Sequence, residues 1–131
     1  MIDSTPSSTK KSMQPKAVKK MVLTALEDIK ANDVVVLDVS AYASFTDYMV
    51  FASGTSSRHV SSIAGSVIDA AKKQHSPALG IEGLDVGDWV LVDLGDVVVH
   101  VMLPATREYY ELEKLWGEEM ADPDLSEDND D

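Results

Sequence analysis

The 131-residue chain contains no cysteine. That excludes a disulfide framework and any thiolate-ligated metal site. No apolar run approaches the ~20 residues a membrane span requires. The first twenty residues are polar and lack the apolar stretch of a secretion signal, so a cytoplasmic protein without membrane contact is expected. Cations are scarce, with 11 Lys and Arg against 23 Asp and Glu and a formal net charge of −12. What is present is enough chain for one domain with a real hydrophobic core.

The charge is unevenly placed. Residues 1–20 hold five Lys against one Asp, while residues 118–131 hold eight acids and no base. Between them, residues 21–117 carry six Lys or Arg against 14 Asp or Glu. A body this acidic gains little by displacing counterions from nucleic acid. Direct sequence-specific nucleic-acid binding is therefore not expected, and within a nucleoprotein the partner would be a basic protein. Solubility alone also accounts for such acidity.

Residues 1–13, rich in Ser, Thr and Lys, read as a disordered extension, and the acidic segment 118–131 as a disordered tail. A domain is expected over 14–117. Pro15 suits the first turn of a helix, and Val18, Met21, Val22, Ala25, Leu26 and Ile29 follow at helical spacing until Asn32-Asp33 breaks the pattern. Val34 to Leu37 is a short run rich in β-branched residues, and Tyr48 to Ser53 a second strand. Gly54 to His59 then opens a helix striped by Val60, Ile63, Ala64, Val67, Ile68 and Ala71, which Ser76-Pro77 ends. A short strand is expected over Leu79 to Ile81, then a hairpin. Pro104 starts a final helix packing through Tyr109, Leu112, Leu115 and Trp116 and ending at Gly117. This order gives the α/β class, a mixed sheet flanked by helices.

The hairpin, Trp89 to Met102, is the informative stretch. With Leu94-Gly95 as a two-residue loop and Gly95 supplying a positive φ, Asp93 faces Asp96, Leu91 faces Val98 and Trp89 faces His100. Side chains alternate across a strand. One face holds Val90, Val92, Val97, Val99 and Val101 and must be core. The other holds Trp89, Leu91, Asp93, Asp96, Val98, His100 and Met102, poor composition for a sealed interior. Opposed like charges destabilise a sheet, so solvent, a metal, or a partner's Lys or Arg must offset Asp93 against Asp96. An indole and Met with a charged rim suit a protein-binding patch. The same face could instead be covered by the final helix.

Catalysis finds little support. Asp93 and Asp96 have no third carboxylate beside them for metal-assisted chemistry. His59, His75 and His100 lack ligand spacing, and Ser56 and Ser57 have no nucleophile-elbow motif around them. No metal or cofactor is expected. The turn Gly54, Thr55, Ser56, Ser57 and Arg58 at a helix start could hold an anion or a nucleotide's phosphates through backbone N–H groups, which would make the chain a nucleotide- or anion-binding enzyme relic, or it is ordinary N-cap chemistry.

Several motifs jointly resemble one family. Ser44-Phe45-Thr46-Asp47-Tyr48, Gly54-Thr55-Ser56-Ser57-Arg58-His59-Val60, Gly80-Ile81-Glu82-Gly83, the stretch Asp88 to His100, and Tyr110-Glu111-Leu112-Glu113-Lys114-Leu115-Trp116-Gly117 stand in an order and spacing similar to the ribosomal silencing factor (RsfS, or Iojap) family. The resemblance runs from residue 16 to 117. It implies a translation repressor, not an enzyme, that binds a basic protein on the intersubunit face of the large ribosomal subunit. There it blocks joining of the small subunit under nutrient limitation. The implied fold is nucleotidyltransferase-like without that activity. Such enzymes carry Gly-Ser after a strand and Asp-x-Asp later, whereas here Gly54-Thr55-Ser56 echoes only the first, and Asp93 and Asp96 stand three apart. The implied partner-binding residues are Trp89, Asp93, Leu94, Asp96, His100 and Tyr110. The resemblance also implies self-association, and such a face can close a homodimer.

Overall fold

The computed structural model describes residues 14–110. Helix α1 spans Pro15–Asp28 and buries Val18, Val22, Ala25 and Leu26. Lys19 is buried with them, its ammonium 4.8 Å from the centre of the Tyr48 ring, where the π face attracts the cation. Helix α2 spans Ser57–Lys73 and buries Val60, Ile63, Ala64, Val67 and Ala71; Ile68 is only partly buried. The two helices run antiparallel, since Ile29 O accepts from His59 Nε2 and Ala25 O from Ser66 Oγ.

Both helices stop before the breakers in the sequence. Lys30 (φ 58°) and His75 (φ 61°) turn left-handed. Ala31 N then donates to Leu26 O, and Ser76 N to Ala71 O. These bonds span the last turn and satisfy carbonyls the helix leaves free, so Asn32-Asp33 and Ser76-Pro77 follow each helix end.

Five strands, β1 (Asn32–Asp38), β2 (Tyr48–Ser53), β3 (Gly80–Glu82), β4 (Trp89–Asp93) and β5 (Val97–Met102), form one mixed sheet in the order β1-β2-β5-β4-β3. Only the β2–β5 pair is parallel. The main core lies between this sheet and the two helices, and includes Val36, Val50, Val90, Val92, Val99 and Val101. On the opposite face Leu37, Val39, Met49, Phe51 and Met102 form a second, smaller cluster. Every residue of β2 and β5 is buried, so both faces of the sheet centre are covered.

The β1–β2 connection contributes to that second cluster through Val39 and Ala43. It is held by Val39 N on Asp47 O and by Tyr42 N and Ala43 N on Val39 O. Helix α3 is described over Pro104–Tyr110. Arg107 Nη1 ties it to Asp33 O (2.7 Å) and Ser53 Oγ (2.9 Å). The expected course of this helix to Gly117, its packing residues Leu112, Leu115 and Trp116, and the segments 1–13 and 118–131 lie outside the described residues.

Candidate functional site

The hairpin keeps the two faces expected from alternation, but its register differs by two residues. Leu94 N donates to Val97 O, leaving Gly95 and Asp96 as the loop. Asp93 therefore pairs with Val98, Leu91 with His100, and Trp89 with Met102. The expected confrontation of Asp93 with Asp96 is not formed. Asp93 Oδ1 instead accepts from Gly95 N at 2.8 Å, an Asx turn that closes the hairpin locally. Gly95 has φ 88°, the left-handed conformation that a residue without Cβ adopts at no steric cost. Asp96 O accepts from both Asp47 N and Tyr48 N, bracing the hairpin tip against the start of β2. Hydrogen bonding within the chain thus accounts for the Asp93 carboxylate and for the Asp96 backbone carbonyl.

The outer face is partly sealed, which corrects its expected openness. His100 is only 6 % exposed and stacks on Phe51, with ring centroids 4.9 Å apart and planes 9° from parallel. Its Nδ1 accepts from Trp89 Nε1 at 3.1 Å, so the proton of the neutral ring sits on Nε2. Burial lowers the His100 pKa from 6.5 to about 4, because the charged form loses its hydration. His100 is a buried support that aims the Trp89 indole. Leu94, also expected at the partner surface, is 7 % exposed and belongs to the helix-side core. The side chain of Tyr110 lies outside the described residues.

What the face offers is therefore Trp89, Leu91, Asp93 and Asp96, all half-buried. Glu82 joins them, exposed and paired with Leu91 across β3 and β4. Sequence reasoning missed Glu82 because it placed β3 one residue early, although Leu79 and Ile81 alternate with Gly80 and Glu82 in strand fashion. The result is an indole and a leucine rimmed by three carboxylates.

In the Gly54 to Arg58 turn, Ser56 caps helix α2. Ser56 Oγ accepts from His59 N at 3.1 Å, and Thr55 N donates to His59 Nδ1 at 2.9 Å. Ser57 Oγ donates to Asp88 Oδ1 at 3.3 Å, which sets a carboxylate beside the helix N-terminus where an anion would sit. Gly54 is required by packing: a Cβ there would lie 2.8 Å from Val60 N, closer than real Cβ contacts allow. Arg58 is exposed. Among the described residues, no group of three His, Asp or Glu is arranged to hold a metal ion, and no helix is long and apolar enough to cross a membrane.

The low His100 pKa has a thermodynamic consequence. Below pH 6.5 the unfolded chain takes up a proton at His100 that the folded ring refuses until about pH 4. The stability from keeping this ring neutral is complete above pH 6.5. It is lost progressively as pH falls to 4, by roughly 3 kcal/mol. Urea denaturation of the wild type should show a steeper loss across that window than His100→Gln, while the carboxylates affect both equally. Parallel curves would refute the burial assignment.

The described residues thus form a small mixed α/β domain whose outer sheet face carries an indole, a leucine and carboxylates. The family described as "Ribosomal silencing factor during starvation" matches residues 11–131, and the chain belongs to that family. It is 48 % identical over 105 residues to a ribosomal silencing factor RsfS from Chromobacterium violaceum, covering 80 % of this chain and 86 % of that one. It is 40 % identical over 110 residues to the mouse "Mitochondrial assembly of ribosomal large subunit protein 1", covering 82 % of this chain and 48 % of the mouse protein. A crystal structure of a C. violaceum protein superposes with a TM-score of 0.79 at 48 % identity, covering 80 % of this chain and 88 % of that one. The family role is translation regulation at the ribosome, and the bacterial relatives are named as silencing factors rather than as enzymes.

Proposed function

We propose that this protein is a non-enzymatic, cytoplasmic repressor that docks its outer sheet face on a basic protein of the large ribosomal subunit and thereby keeps the small subunit from joining. The carrying observation is the Trp89 indole, oriented by its bond to buried His100 and rimmed by Glu82, Asp93 and Asp96. A rigid aromatic anchor costs little conformational entropy on binding. A rim of one sign selects a partner of the other and speeds encounter. Steric exclusion then requires no chemistry, only residence on the surface the small subunit needs. Silencing during nutrient limitation, the role in the family description, fits an inhibitor that acts by occupancy.

The test is light scattering of purified large and small subunits mixed in Mg²⁺ with increasing protein. The amplitude of the joining signal should fall as protein saturates the large subunit and recover on dilution. Full joining at saturating protein would overturn the mechanism.

A further inference from the structure

The net charge of −12 conceals a segregation that the fold makes visible. Residues 31–57 and 74–106, which supply all five strands and their loops, contain eight carboxylates and no Lys or Arg. These are Asp33, Asp38, Asp47, Glu82, Asp85, Asp88, Asp93 and Asp96. The cations of the described residues lie instead on the helices and at their ends. Four exposed ones, Lys16, Lys20, Lys72 and Lys73, fall at one end of the α1–α2 pair.

The antiparallel arrangement puts the start of α1 at the same end of the pair as the finish of α2. Thr24 and Asp28 of α1, Asp69 and Lys73 of α2 and Gln74 just past its end are among the residues lining a groove of about 470 Å³ between the helices. Lys20 and Lys16 precede Thr24 by one and two turns on the same row, so they continue the α1 wall past the groove. Lys73 forms the α2 wall there, with Lys72 beside it. The acids nearest this end are Asp69, one turn from Lys73, then Glu27 and Asp28, which lie ~10 and ~12 Å along the axis from Lys20. Of the sheet and loop carboxylates, Asp88 meets the helix layer at Ser57, at the opposite end of α2 and ~24 Å along the axis from Lys73, more than two Debye lengths at 0.1 M salt.

We propose that the lysine-bearing end of the α1–α2 groove docks the phosphate backbone of duplex RNA independently of sequence. Lysine ammonium groups are mobile point charges that neutralise phosphates without reading base edges, and a helix-pair end carrying four of them suits a backbone. Such docking would read no sequence, and it would confine the gain from RNA to the helix side of an otherwise acidic body. The protein would then carry opposite preferences on opposite sides, protein cations on the sheet and RNA phosphates on the helices. This inference stands apart from the proposed docking on a basic ribosomal protein, because its probe contains no protein.

The test is fluorescence anisotropy of a labelled RNA duplex of ~16 base pairs titrated with the full chain at ~50 mM KCl. Saturable binding is expected, with log Kd rising against log salt at a slope of about 3 to 4, the value for four neutralised phosphates. The quadruple variant Lys16→Gln, Lys20→Gln, Lys72→Gln, Lys73→Gln should weaken binding about tenfold or more. Lys30→Gln, at the other end of the pair, should not. Circular dichroism of the exposed-site variants confirms their fold. Absence of binding by the wild type, equal loss in Lys30→Gln, or an unaffected quadruple variant would overturn the proposal. So would binding to phosphatidylserine vesicles with none to RNA.

Discussion

Trp89→Ala is expected to remove the protein from the large-subunit fraction in co-sedimentation, while wild-type protein travels with large and not with small subunits. Truncating a central aromatic anchor costs ~2–4 kcal/mol of binding, a loss of about 30-fold or more. The indole is half-buried against Met102 and bonded to His100, so the substitution also touches the second cluster. Trp89→Phe separates the two effects, since it keeps most of the apolar area and loses only the N–H bond. It should bind more weakly than wild type but clearly better than alanine. Undiminished sedimentation of Trp89→Ala would eliminate this face as the docking surface, whatever the urea midpoint of the variant.

Reversing the rim should have a comparable effect with a different signature. Glu82→Lys with Asp96→Lys is expected to weaken large-subunit binding by ~2–5 kcal/mol if the carboxylates are buried against partner cations. Rim charges that stay wet would change mainly the association rate. Asp93 needs a gentler change, because its Oδ1 closes the hairpin turn on Gly95 N. Asp93→Asn keeps that acceptor and removes only the charge. Binding rates measured at two salt concentrations distinguish the cases, because steering fades with ionic strength whereas a desolvated pair shows in the off-rate. A double reversal that binds as wild type at both salts would exclude a basic partner on this face.

The element order and the partition of the hairpin into two faces were legible because side-chain periodicity carries them: the stripe from Val60 to Ala71 permits only a helix, and Val90, Val92, Val99 and Val101 only one buried face. Register was not legible. A shift of two residues leaves every side chain on its own face, so alternation cannot distinguish a loop at Leu94-Gly95 from one at Gly95-Asp96. The hydrogen bonds of Leu94 N and Asp93 Oδ1 decide it. The burial of His100 was hidden for another reason. Val39 and Ala43, which pack in its cluster, sit in a connection without periodicity, and only the folded chain brings them there. Leu94 depends on the same register: as a loop residue it has no assigned face, and only its pairing with Val97 puts it on the helix side with Val90 and Val92.

The central pairing of the sheet sets the order in which the protein can become functional. Tyr48 to Ser53 lies beside Val97 to Met102 in parallel register, so the middle strand meets its second neighbour only across a long chain closure. Loop-closing entropy must be met before such distant contacts reward it, which makes topologies of high contact order slow to fold. During synthesis β2 has only β1 beside it until β5 has been made, and Trp89 has neither His100 nor Met102 to settle on. A nascent chain stopped short of residue 97 should therefore remain protease-sensitive. The outer sheet face around Trp89 is therefore expected to be completed only once β5 has paired with both of its neighbours.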